Sequence, residues 1–243
     1  MNALRLTLTF NLTLLLAVLG ASSLWAAEAG ATTKADNSAH QVVEQTTQRV
    51  MGIIREAQGY YDQDPERFYR AIESVLADVV DFDSFARGVM GPYASKQMYM
   101  TLKTDAERRQ FKQRMKRFSE TFKDGLVRTY AKGLLAFSGN RVEVLPATEP
   151  EQAGESVTVV QHIYGEAEKP YVVHYKLRQD RDGVWKLRNV TIEAINLGKV
   201  YQSQFASAAK QYNGDIDQVI DNWTVDPTAN TETAASGVAG DAG

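Results

Sequence analysis

Apolar residues recur at helical spacing through the first half of the chain and with partial alternation through much of the second, so the pattern predicts helices first and a sheet later. Val43, Val50, Ile54, Ala57 and Tyr61 form a stripe that predicts a helix from about 40 to 59. Asp64 caps a second helix and Pro65, favoured at the first helical position, begins it; Phe68, Ile72, Val75, Leu76 and Val79 make its apolar side. Asp81 or Asp83 caps a short third helix carrying Phe82, Phe85, Val89 and Met90, which Gly91-Pro92 stops. Thr104 and Glu107 form a capping box ahead of the longest stripe, Phe111, Met115, Phe118, Phe122, Leu126, Tyr130 and Leu134. A continuous helix over 104–136 would be about 50 Å long. A bend or break near Gly125 or Gly133 is therefore expected.

The texture then changes. Arg141 to Leu145, Ser156 to Tyr164, Tyr171 to Gln179 and Val184 to Glu193 are rich in Val, Tyr and Ile and predict four strands, with Asp180 to Gly183 as a hairpin turn between the last two. Helical spacing returns in Ile195 to Tyr212, where Tyr201, Phe205, Ala208 and Tyr212 share a face. Only Lys199 and Lys210 charge this segment, and the rest of its polar side is Gln, Ser and Asn. Surface helices usually carry a well-charged outer face, so neighbours are expected to cover part of this one. Gly214 to Trp223 predicts a final short helix. Helices, an antiparallel meander and helices again make an α+β fold.

The two ends read differently. Arg5, an apolar run from Leu6 to Leu19 and small residues through Ala21, Ser22, Ser23, Ala26 and Ala27 have the layout of a secretory signal peptide, with cleavage after Ala26, Ala27 or Ala29. The run is shorter than the roughly 20 residues a membrane span needs. Residues 1–27 are thus assigned to the signal peptide, 28–39 to a disordered linker, 40–225 to one folded domain and 226–243 to a disordered tail of Ala, Thr, Gly and Asp.

The 243 residues contain no cysteine, which removes disulfides, thiolate metal sites and a cysteine nucleophile. Export without disulfides places the stability in an ordinary core and fits a bacterial periplasmic protein. The formal charge is −3, which argues against a nucleic-acid binder and leads us to expect no basic face.

Catalytic patterns are few. His162 and His174 fall on neighbouring strands without a third ligand at zinc spacing, so they read as polar sheet residues. Ser207-Ala-Ala-Lys210 matches the S-x-x-K of serine acylases, but the companion S-D-N and K-T-G signatures are absent. Asp81 and Asp83 could act as a general acid and base, yet their place before a helix favours capping. What the chain has in excess is large, adaptable apolar side chains: Phe82, Phe85, Met90, Tyr93, Met98, Tyr99 and Met100 fall within twenty residues. Such residues build either a core or an irregular apolar cavity, and composition does not separate the two.

Two segments carry a resemblance. Val80 to Met98, VDFDSFARGVMGPYASKQM, and Asp182 to Trp223, with NVTIE, INLGK, a Tyr-x-Ser-Gln-Phe helix and a closing Asp-Asn-Trp, resemble the MlaC family of periplasmic phospholipid-binding proteins, also described as toluene-tolerance auxiliary proteins. The resemblance covers roughly 42–225. It implies a curved, mainly antiparallel sheet of about four strands wrapped by helices around a deep hydrophobic pocket. It implies a carrier that holds the acyl chains of a glycerophospholipid inside and shuttles it between an outer-membrane lipoprotein–porin complex and an inner-membrane ABC transporter complex. Lipid would be cargo, with no cofactor and no catalytic residue, in a monomer. Apolar character and inward faces then nominate Phe82, Phe85, Val89, Met90, Tyr93, Phe118, Phe122, Leu126, Val159, Val173, Tyr175, Ile192, Ile195, Val200, Tyr201 and Phe205 as the pocket wall. Arg87, Lys96, Arg128 and Lys199 are nominated as phosphate contacts at the mouth. Helices on a curved sheet also describe small cone-shaped isomerases and dehydratases, in which a buried Asp or His would be the base, and a pure interaction module with a filled core is a third reading.

Overall fold

The computed structural model describes residues 38–135, 141–148, 154–165 and 169–225. The expected signal peptide, the linker up to residue 37 and the C-terminal tail lie outside them.

Polar residues at the predicted stops set the helix boundaries. Ser38 opens α1 (Ala39–Ala57) with a reciprocal capping box to Gln41. Asp64 accepts from the Arg67 amide ahead of α2 (Pro65–Val79). Of the two candidates at α3 (Phe82–Met90), Asp81 is the cap, accepting from the Ser84 amide, while Asp83 accepts from the Ser119 hydroxyl at 2.6 Å. Gly91 ends α3 at φ +56, a backbone region L side chains avoid; a Cβ there would also meet Gln202, whose amide donates to the Gly88 carbonyl. A short 3-10 turn (Gly91–Ala94) leads into α4 (Lys96–Thr101), a six-residue helix with no buried residue.

Helix α5 (Asp105–Leu135) opens with the expected box, the Glu107 amide donating to the Thr104 hydroxyl and the Thr104 amide to the Glu107 carboxylate. It runs unbroken for 31 residues, about 46 Å. The expected break at Gly125 or Gly133 is absent. Gly125 serves packing instead: a Cβ there would stand 2.6 Å from Cγ2 of Val225, so its missing side chain lets the C-terminal segment lie against the helix. Nothing stands within 4 Å of a Cβ at Gly133.

The sheet is an antiparallel meander in chain order, β1 (Val142–Val144), β2 (Ser156–Ile163), β3 (Tyr171–Gln179), β4 (Trp185–Ile192) and β5 (Ile195–Asn196). The fifth strand is a two-residue stub beyond the four expected. Gly183 at φ +74 and the Asp180 carboxylate, which accepts from the Asp182 and Val184 amides, form the predicted turn. Val159 pairs with Tyr175, Gln161 with Val173 and Val173 with Ile192, so these residues share one face. His162 and His174 lie diagonally on the opposite face. Helices α6 (Leu197–Gln211) and α7 (Ile216–Asp221) complete the domain, capped by Asn196 and Asp215.

Two cores share α5. An aromatic core joins α3, the middle of α5, α6 and α7: Phe118 meets Phe205 edge-on at 4.9 Å and Trp223 at 5.2 Å, and Phe85 meets Phe122 at 5.2 Å. The Trp223 indole N–H in this core has no acceptor among the described residues. A third core lies on the sheet and holds no residue of α5, with Val43 of α1, Val159, Leu177 and Trp185 buried together.

Candidate functional site

Between the sheet and the α1–α2 pair lies an apolar cleft of about 210 Å³. One wall is α1, with Val42, Val43, Thr46, Thr47, Val50 and Met51. Leu76 and Val79 of α2 and Leu134 near the end of α5 close one side. Val142, Ile163, Leu177 and Leu187 come from the sheet. Small and β-branched residues dominate. Valine and threonine are poor helix formers, and their concentration on one face of α1 makes a stiff wall of shallow relief.

The polar atoms in this cleft are satisfied internally. The Tyr175 hydroxyl donates to the Gln161 side-chain carbonyl at 2.8 Å, the Gln161 amide donates to the Thr47 hydroxyl at 2.7 Å, and that hydroxyl donates to the Val43 carbonyl at 2.8 Å. Thr46 bonds back to the Val42 carbonyl in the same way. Gln161 is only 3% exposed, and without Thr47 its amide would be a costly unpaired group. The chain of bonds therefore ties α1 to β2 and β3 while leaving the cleft apolar. Burial pushes the Tyr175 phenol up to about 12. Folding thus favours the neutral phenol: its contribution is full below the ordinary value of 10 and is lost as pH rises towards 12. Tyr175→Phe is expected to flatten the decline of stability across that alkaline window, as read by urea unfolding of both proteins.

Of the residues nominated for the wall, Tyr175 alone lines this cleft. Val159 and Val173 are buried on the same sheet face, beside it in register, and Ile192 follows Val173. Phe85, Val89, Met90, Phe118, Phe122, Leu126, Tyr201 and Phe205 are packed in the aromatic core, with Phe82, Tyr93 and Val200 against it. Ile195 is 44% exposed. The physical reason is that helical spacing marks the apolar side of α3, α5 and α6 but not the neighbour it meets. Those sides meet one another, and interlocked rings fill the space. Helix α6, expected against the sheet or acyl chains, buries Tyr201 and Phe205 in this core, and the Tyr201 and Tyr130 hydroxyls bond at 2.7 Å. The cleft-lining residues not nominated from the sequence include those of α1, whose signal was a stripe of Val and Thr rather than of rings.

The nominated cations are also elsewhere. Arg128 grips Glu66 with both guanidinium nitrogens at 2.7 and 3.0 Å, binds Asp124 and stacks over Tyr69. That hydrogen-bonded pairing holds the Glu66 carboxyl below its usual range. Lys199 is exposed in the first turn of α6. Arg87 and Lys96 line a second groove of about 760 Å³, bordered by α3, α4 and the first half of α5, with Lys112 and Lys116 and an apolar floor that includes Tyr99 and Phe111. Neither Arg87 nor Lys96 lines the cleft; along α5 the groove's Met115 and the cleft's Leu134 are 19 residues apart, about 29 Å, while on the α3 side the groove's Asp83 follows the cleft's Val79 by four residues. The expectation of no basic face also fails. Net charge averages over the chain, whereas seven basic residues and two acidic ones fall between 103 and 117.

Residues 44–225 match the family model for MlaC protein. The chain is 32% identical over 191 residues to toluene tolerance protein ttg2D of Pseudomonas putida, a match spanning 79% of this chain and 82% of that protein. A phospholipid-binding protein from Ralstonia solanacearum, solved in complex with a phospholipid, superposes with a TM-score of 0.62 at 18% identity, covering 76% of this chain and 94% of its own, and so shares the fold.

Proposed function

This chain belongs to the MlaC family, and on that premise we propose that it is a periplasmic phospholipid carrier whose cleft between the α1–α2 pair and the sheet receives the acyl chains. The observation that carries this reading is a cleft walled by aliphatic side chains whose few polar groups are already bonded to one another. The Pseudomonas putida relative is a toluene tolerance protein and the Ralstonia solanacearum neighbour binds a phospholipid, both consistent with it. No Asp, Glu or His lines the cleft, so the isomerase or dehydratase reading has no base there.

Two acyl chains carry about 30 methylenes, worth about 24 kcal/mol gross on leaving water. A bilayer offers the same environment, so the cleft gains little by taking lipid from a membrane. Loading and unloading then fall to partners, proposed as an inner-membrane ABC transporter complex and an outer-membrane lipoprotein–porin complex. No covalent step is required. The cleft must also widen. A cavity of about 150 Å³ admits one benzene, so 210 Å³ is several times too small for two tails. The element proposed to move is α1, which the Thr47–Gln161 bond ties to the sheet.

Native mass spectrometry of the protein purified from periplasmic extract without detergent, with lipid analysis of the bound fraction, tests the reading. A stoichiometric mass excess resolving into phospholipid is expected. A bare mass from folded protein would count against it.

A further inference from the structure

One end of the molecule carries charge that local stability disfavours. Seven basic residues stand against two acidic ones between 103 and 117, leaving 20 basic against 28 acidic in the rest of the chain. Arg108 and Arg109 lie near the start of α5, where the positive end of the helix dipole repels cations. Arg108 with Lys112, Arg109 with Lys112 and Lys112 with Lys116 are like charges at three- or four-residue spacing, which weakens a helix. Part of the charge has a structural use, since Arg114 and Arg117 hold Asp217 and Asp221 of α7. Arg87, Lys96, Lys103, Arg109 and Lys112 have no ion pair among the described residues. Helix stability does not account for such a cluster, whereas recognition of an anionic partner does.

Three of those five cations, with Lys116, which pairs with Glu120, outnumber the single lining carboxylate, Asp83, already bonded to Ser119, around the apolar floor of the second groove. On neighbouring α4, Met98 and Met100 are 43% and 72% exposed, two of the few large apolar side chains turned to solvent. Methionine adapts its shape to a partner. A basic rim, an apolar floor and pliable methionines are together complementary to a chain segment bearing both acidic and apolar side chains.

We propose that this groove docks an acidic, apolar-bearing segment of the partner protein that gives or takes the cargo, an inference resting on the carrier reading only for the partner's role. Two features favour a protein over a membrane surface. The groove is concave, which suits a projecting segment and not a flat bilayer. Its lysines on α5, Lys112 and Lys116, also stand 22 and 18 residues before the cleft's Leu134, about 33 and 27 Å along the axis, so a bilayer held face-on by them would sit far from that end of the cleft. A partner protein spans that distance and leaves α1 free to move.

The test measures anisotropy of a fluorescein-labelled peptide with Glu and Leu at helical spacing, added to the full-length folded protein, beside the same peptide with Lys for Glu. Vesicles of phosphatidylglycerol and phosphatidylcholine form a third arm. The Glu/Leu peptide is expected to bind, to weaken as salt rises, and to lose about tenfold in affinity in the Lys112→Glu/Lys116→Glu protein. Lipid content of that variant is expected to match the parent. The neutral pair Lys112→Gln/Lys116→Gln should give an intermediate loss, which guards against a folding defect in the reversed pair. Equal binding of the Lys/Leu peptide, or unchanged affinity in both variants, overturns the proposal. So does vesicle binding that the substitutions abolish while the peptide stays unbound, which would assign the face to a membrane. Absence of lipid from the parent would strike the carrier reading alone, since peptide binding is scored independently.

Discussion

Trp at Val50 and at Ile163 is expected to leave the protein folded and nearly empty of lipid. Val50 stands on α1 and Ile163 on β2, and both line the apolar cleft from opposite walls. Two indoles would occupy most of a cavity of about 210 Å³. Overpacking typically costs about 1–3 kcal/mol per substitution, so about 2–6 kcal/mol for the pair before the cleft widens, which a domain in the middle or upper part of the ordinary range of about 5–15 kcal/mol survives. The double variant should show the parent's far-ultraviolet circular dichroism and less than about one tenth of its extractable phospholipid, since acyl chains denied the cleft lose most of their gross burial energy. Parent-like lipid content in this variant would place the cargo somewhere other than between α1 and the sheet.

Phe118→Ala should do the reverse. Phe118 is fully buried where α5 meets α6 and α7, in contact with the rings of Phe122, Phe205 and Trp223. Truncating such a side chain costs about 3–5 kcal/mol. For a domain of this size that lowers the melting temperature by about 6–20 °C. The molecules that remain folded should carry the normal complement of lipid, because the cavity made by the truncation is distant from α1. Thermal unfolding and lipid content measured on one preparation separate the two effects. A large loss of lipid from folded Phe118→Ala would restore the aromatic residues to the wall.

These opposite expectations mark where the sequence was legible. Periodicity gave the order of elements, and capping chemistry gave three of their starts, because Asp64, Asp81 and Thr104 act on amides only three residues away, whereas the caps Ser38 and Asp215 were not read. The α+β class and the antiparallel meander follow from the same local signals. The inward face of the sheet was also readable, since Val159, Val173 and Tyr175 alternate with solvent-facing neighbours. The location of the cleft was not. An apolar stripe reports that a helix buries a face, and the burying partner is decided by tertiary geometry. Phe and Met drew attention to α3, α5 and α6, whereas Val42, Thr46 and Val50 of α1 are the residues that face the space. Gly125 shows the same limit, as a residue that reads as a breaker holds Val225 against an intact helix. The basic groove escaped because charge was summed over the chain rather than along α5.

The separation of the sheet core from the aromatic core also gives the molecule two optical labels. The described residues contain two tryptophans, Trp185 in the aliphatic core on the sheet and Trp223 in the aromatic core. One indole sits in the core that borders the cleft, the other among Phe118, Phe122 and Phe205. Emission from the first reports on the sheet and whatever lies against it. The near-ultraviolet ellipticity of the second, set by close ring coupling, reports on the helical half. Because the two indoles share their emission and absorption bands, each is read alone once Phe replaces the other, Trp223→Phe isolating the sheet core and Trp185→Phe the aromatic core.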